Sequence, residues 1–548
     1  MRKAERTIAN LKAAYLKRTA DVWEGREREL VIEMVRGLDE AAFAFQMAPN
    51  QAELRRTDSH RHLMLMGAAA GLRPFLEGLR NAPGGVPWGP TSRERAALAD
   101  QHLANCGTFA YVQRVAELER FGLANATFIA DDHLVLEAPS AAEEADELHA
   151  GLRLSEIARR PFREQQRRLA ARKPYIAKLL DQYVYPVDGW FIGYDNTEEL
   201  VAYHREFARI RATGIAEAEA LPPDALLGGR PFSEWNEASV IAYGAVLQHI
   251  AFATRLGATT PGLQLRNLLT IFARKDDISA VWQERGEDTA WSSRLLAALT
   301  LEADSALKCE RNHEIPLPYY IDFGRDFVLL PMFGGLMNPC AGLVWHVRSE
   351  FRPDWDRAVD GRKARFRDDL RSLFPAPRYV VPTKSAVLKR SDGSRLTDID
   401  AMVLDRSTGE LVLVQLKWPD LHGRSLAERN SRRLNLLKAN EWVEKVAGWV
   451  DGRSAHDVGA HLGLEGAGGR PPVLLVLARH AARFTGEKGY DPRARWVSWP
   501  GFVQAYGRSP KAGIVSALRR PRSGTQGSTA PTVSTHQLPG LKVEVRVH

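Results

Sequence analysis

The stretch SRLTDIDAMVLDRSTGELVLVQLKWPD, Ser394 to Asp420, decides how this chain reads. Arg406-Ser407-Thr408-Gly409 is a turn signal between two apolar runs, so the pattern predicts a β-hairpin. After the turn, LVLVQLKW is apolar except for Gln415 and Lys417. These two are separated by a single residue, so on a strand both emerge on one face, while Leu416 turns the other way into packing. Pairing about Thr408–Gly409 brings Asp400 of the preceding strand near Gln415. Burying an amide and an ammonium in such a run is costly unless they have partners. An acid, an amide oxygen and an ammonium that converge in this way suit a hard-cation site for phosphodiester hydrolysis. Mg2+ takes oxygen ligands at about 2.0–2.1 Å and keeps several waters. It polarises a phosphate and lowers the pKa of an attacking water. A neighbouring lysine offsets charge that gathers on the phosphorus. The competing reading is an internal ion pair between Asp400 and Lys417 in a domain without chemistry.

The pattern resembles the PD-(D/E)XK, restriction-endonuclease-like superfamily, with an Asp at the start of one strand and (Asp/Glu)-x-Lys on the next. It is most similar to the Mrr-like and Holliday-junction-resolvase-like branches, and Gln415-Leu416-Lys417 matches a known variant of the second element. The resemblance implies Asp400 as the main metal ligand, Gln415 as a ligand through its side-chain oxygen, and Lys417 as the catalytic lysine. The carbonyl of Leu416 would add a further ligand, and Asp398 is a second candidate carboxylate. Relatives often place a Glu on the first helix; here RKARFRDDLRSLFP offers Asp368 and Asp369, of which Asp369 joins the candidate metal set, and Glu350 stands upstream. The implied fold is an αβββαβ core. RYVVPTKSAVLKR is read as its first strand. SLAERNSRRLNLLKANEWVEKVAGWV is read as an amphipathic helix burying Leu434, Leu437, Val443, Val446 and Val450. PPVLLVLARH is read as a buried strand. Arg424, Arg429, Arg432 and Arg433 crowd the start of that helix and are candidates for holding phosphates.

Outward from this segment, the chain of 548 residues is too long for one core. The pattern predicts a multidomain protein: helical over 1–225, helical with a β-hairpin at Asp322–Arg325 over 226–345, α/β over 346–520, and a flexible basic tail over 521–548. The net charge of +8 suits a polyanionic partner, DNA or RNA, and a homodimer or partner protein is compatible. Three dispersed cysteines argue against a disulfide framework or zinc ribbon. His60 and His62 read as surface residues. No apolar run reaches the ~20 residues of a membrane span, and the expected compartment is the cytoplasm. The expectation is therefore a Mg2+- or Mn2+-dependent DNA endonuclease, acting in defence or repair. The alternatives are a nuclease fold that binds nucleic acid without cutting it, or an RNase.

Overall fold

The computed structural model describes residues 2–47, 51–138, 157–284, 286, 288–418, 425–480, 490–508, 510–518 and 532–547. A largely helical part precedes an α/β unit, as the sequence pattern predicts. The helical part is organised by long amphipathic helices, among them Glu27–Met47, Gln51–Leu79, Arg93–Glu117 and Phe232–Thr259. In the first of these, Leu30, Val31, Met34, Val35 and Leu38 recur at helical spacing and are all buried. The apolar clusters do not follow a division at 225, because one of them runs from Leu169 to Trp355. A small sheet, Ile271–Arg274, Phe327–Leu330, Tyr320–Asp322 and Thr300–Leu301, crosses this part. Its hairpin turns at residues 323–326, where the sequence places one.

The C-terminal segment departs from the expected tail. Thr532–Leu538 and Leu541–Val547 form a hairpin, and the second strand pairs in parallel with His133–Ala138. Leu541, Val543 and Val545 alternate and are buried against the helices Lys3–Val22 and Arg93–Glu117. The Ser-, Gly- and Pro-rich composition upstream concealed this strand period; residues 519–531 lie outside the described set.

Within the α/β unit, elements are numbered in order: α1 (Arg362–Leu373), β1 (Tyr379–Val380), β2 (Ala386–Lys389), β3 (Arg395–Ile399), β4 (Ala401–Asp405), β5 (Glu410–Lys417), α2 (Leu426–Val450), α3 (Ala455–His461), β6 (Val473–Ala478), β7 (Ala494–Ser498) and α4 (Trp499–Arg508). The sheet order is β1-β4-β5-β6-β7, with β1, β4 and β5 antiparallel and β5, β6 and β7 parallel. The segment read as one first strand is split, since β1 joins the sheet whereas β2 pairs with β3 in a separate ribbon. Pro382, which has no N–H to give a ladder, lies between them.

The β4–β5 hairpin turns through Arg406–Gly409, with Gly409 at φ 72° in the left-handed region. A side chain there would also strike the backbone of Gly468. Met402, Leu404, Leu411 and Leu413 face α2 and α3, and Ala401, Val403, Val412, Val414 and Leu416 face α1 and α4. Each fully buried Val or Leu contributes about 1.5–3 kcal/mol, so the middle of the sheet is a rigid platform. The buried stripe of α2 is Leu436, Ala439, Val443 and Val446; Leu434, expected on it, is 46% exposed. A shift of two residues rotates a helix by about half a turn, which is enough to reverse a face.

Candidate active site at the end of the central sheet

Ala401 pairs with Val414, so one position further along Asp400 stands opposite Gln415, where β4 begins and β5 nears its end. Odd-numbered residues of β5 face α2, so Gln415 and Lys417 share that face, and Leu416 packs on the other. Asp400 and Gln415 are both buried, and Lys417 is half-buried.

The Asp400 carboxyl draws three donors. Gln415 Nε2 and the Leu416 backbone N–H (2.9 Å) both donate to Oδ2, and the ammonium of Lys363 lies 3.2 Å from Oδ1. One helical turn along α1, Arg367 Nε donates to the Asp400 backbone carbonyl at 2.7 Å and its Nη1 to that of Thr383 at 3.1 Å. No ion pair joins Asp400 to Lys417, so the internal pair considered from sequence is replaced by Lys363–Asp400. Burial pushes the Lys417 ammonium below the ordinary lysine range. Lys363 and Lys438 push the same way, while Asp400 and Glu441 pull it back. Lys438 and Glu441 are exposed, one turn apart on α2 beside its buried stripe.

The remaining expected site residues are engaged elsewhere. Asp369 is held by Arg479 at 2.6 Å, and Arg479 also reaches Glu219 of the helical part at 2.9 Å. Asp398 pairs with Arg395, and its backbone carbonyl accepts from Trp442 Nε1 at 2.8 Å. Asp368 pairs with Arg371 at 3.4 Å, and Glu350 ends a helix of the preceding part. The set Asp400, Gln415, Asp369 and Asp398 is therefore not assembled whole: Arg479 holds Asp369, and Arg395 holds one oxygen of Asp398. Among the described residues no three acidic, histidine or cysteine side chains converge as a metal cage would require. Arg433 donates to Asn430 Oδ1 on its own helix at 2.9 Å. Arg424 and the side chains of Arg429 and Arg432 lie outside the described residues.

Sequence reasoning missed Lys363, Arg367, Lys438 and Glu441. Their signal was an i,i+4 pair of cations on α1 and an i,i+3 pair on α2, a pattern that solvated helix faces also carry. The helix bearing Lys363 is fixed from outside the unit. Arg362 Nε donates to Ala220 O at 2.8 Å and Arg365 Nη1 to Leu221 O at 3.2 Å. No family model, curated protein or solved structure matches the chain. Among the described residues, no helix is long and apolar enough to cross a membrane.

Proposed function

We propose that the α/β unit is a metal-dependent nuclease of the PD-(D/E)XK type, hydrolysing phosphodiester bonds in DNA. The observation that carries the reading is Asp400 buried opposite Gln415, with Lys417 on the same face at the sheet end. Three antiparallel strands continuing into parallel ones, flanked by α1 and α2, agree with it.

The donor set is hard but lean: one carboxylate and one amide. Mg2+ and Mn2+ suit it, because such ions are held by one or two carboxylates and complete their shell with water and substrate phosphate. Asp400 and the Gln415 side-chain oxygen would hold the ion, leaving out Asp369 and Asp398. When bound, the ion supplies a polarised phosphate and an activated water. Lys417, set on a strand between packed layers, offsets charge on the reacting phosphate from a fixed position. Its depressed pKa makes its proton easier to release than that of an ordinary lysine. Lys363 and Lys438 add positive charge beside it, which favours a polyanion.

A second reading has its own observation. The Asp400 carboxyl already has three donors without any metal, so the site is also compatible with nucleic-acid binding without cutting. Purified wild type and Asp400→Asn, offered supercoiled, linear, branched and single-stranded DNA and RNA with Mg2+, Mn2+ or EDTA, separate the two. The nuclease reading expects metal-dependent cutting of DNA by wild type and none by the variant. Binding without cutting under every condition would favour the second reading, and cutting of RNA alone would change the substrate.

A further inference from the structure

We propose that Lys363 is a placeholder cation, whose ammonium occupies Asp400 Oδ1 until a divalent ion displaces it. The inference rests on the nuclease reading above and concerns how that site is loaded.

Lys363 and Arg367 sit one turn apart on α1 and both address Asp400, but they are held very differently. Arg367 is clamped by two backbone carbonyls, at 2.7 and 3.1 Å. Among the described residues Lys363 has one anchor, Oδ1 at 3.2 Å, and its side chain is 57% exposed whereas that of Asp400 is 7% exposed. A carboxylate this buried needs a cationic or hydrogen-bonding partner at each oxygen. Oδ2 is served by Gln415 and Leu416 from the rigid sheet, and Oδ1 by a long, largely solvated chain. The lysine end of the pair is solvated, and an arriving divalent ion would supply the positive charge that Oδ1 needs, so ammonium and ion can exchange without leaving the buried carboxylate bare. It lies where a ligated ion would sit and carries the same sign, so ammonium and metal exclude one another.

Arg362 and Arg365 anchor the backbone of α1 to the helical part, so the placement of this helix does not depend on Lys363. The test is Mn2+ binding to the full chain without nucleic acid, followed by electron paramagnetic resonance, for wild type, Lys363→Met, Lys363→Arg and Asp400→Asn. Removing a like charge at this range should tighten Mn2+ binding by about three- to tenfold in Lys363→Met. Lys363→Arg should stay at the wild-type affinity and Asp400→Asn should lose the ion. Unchanged or weaker binding by Lys363→Met, or tightening by Lys363→Arg as well, would overturn the inference; loss of the ion in Asp400→Asn would still leave the metal site standing. If neither wild type nor Lys363→Met holds Mn2+, or if Asp400→Asn holds it as wild type does, the placeholder and the metal reading both fall.

Discussion

In the helical part, Arg266 is 7% exposed and meets Asp100 twice (2.9 and 3.0 Å), Glu40 at 3.2 Å and Glu33 at 3.4 Å. In the α/β unit, the half-buried Lys417 has no ion pair among the described residues, and the charges of Lys363 and Lys438 act against its own. Both are cations removed from water, yet the first is surrounded by opposite charge and the second is left partly opposed. Asp39 is also held from several sides, but by neutral donors and not by opposite charge. Its carboxyl accepts from Met332 N–H (2.7 Å), Phe333 N–H (2.9 Å) and the Thr270 hydroxyl (2.7 Å), tying the helix Glu27–Met47 to the turn after the strand Phe327–Leu330. Charge that holds a fold together is compensated in place. At the edge of the rigid sheet the charge of Lys417 is met only in part, by Asp400 and Glu441, an arrangement that the proposed nuclease site would use.

The largest effect that would break this contrast lies at Arg266. Arg266→Met takes from Asp100 its paired guanidinium and leaves Glu33 to Arg36 and Thr91, and should lower the unfolding free energy by about 3–5 kcal/mol in denaturant titrations. Asp39→Ala comes next, at about 2–3 kcal/mol, because two buried N–H groups lose their acceptor. Asp39 also carries a pH signature. Burial pushes it up to about 7 from an ordinary 3.8, so between those values the folded protein binds a proton that the unfolded chain has released. Its contribution to stability therefore falls as pH rises through that window, by about 1 kcal/mol per unit. Asp39→Asn should flatten the slope relative to wild type, as followed by thermal unfolding at pH 5 and pH 7. An unchanged slope would assign the titration to another group.

How much of this was legible beforehand follows from the distance over which each contact is made. The β4–β5 hairpin, its turn and the facing of Leu416 were written in local period and turn chemistry, and the register that sets Asp400 against Gln415 followed from them. The Lys363–Asp400 pair spans 37 residues and the Arg479–Asp369 pair 110, and no local pattern specifies such partners. Leu434 failed because, in a helix with apolar residues on several sides, the stripe is chosen by what it packs against. The C-terminal hairpin failed because its parallel partner, His133–Ala138, lies about four hundred residues earlier, and parallel pairing over that span leaves no local mark.

The smallest expected effects sharpen the contrast at Lys417. Glu441→Gln removes a group that raises its pKa, and Lys438→Met removes one that lowers it. With cleavage dependent on the ammonium, the alkaline limb of the rate profile should move to lower pH in the first variant and to higher pH in the second. The shifts should be only fractions of a unit, because both side chains are exposed and screened. Shifts in the same direction for both would mean that Lys417 is not the titrating group.

On the proposed reading, the charge at the sheet end serves chemistry and not stability. Cleavage rate and unfolding free energy measured on the same preparation of Lys417→Met separate the two roles. With Lys417 in the proposed role, metal-dependent cleavage should fall by roughly a hundredfold or more, with stability unchanged or raised by up to about 1 kcal/mol as a poorly compensated charge leaves the interior. Cleavage at the wild-type rate together with a loss of several kcal/mol would contradict it, and would place Lys417 with Arg266 among the residues that hold the fold.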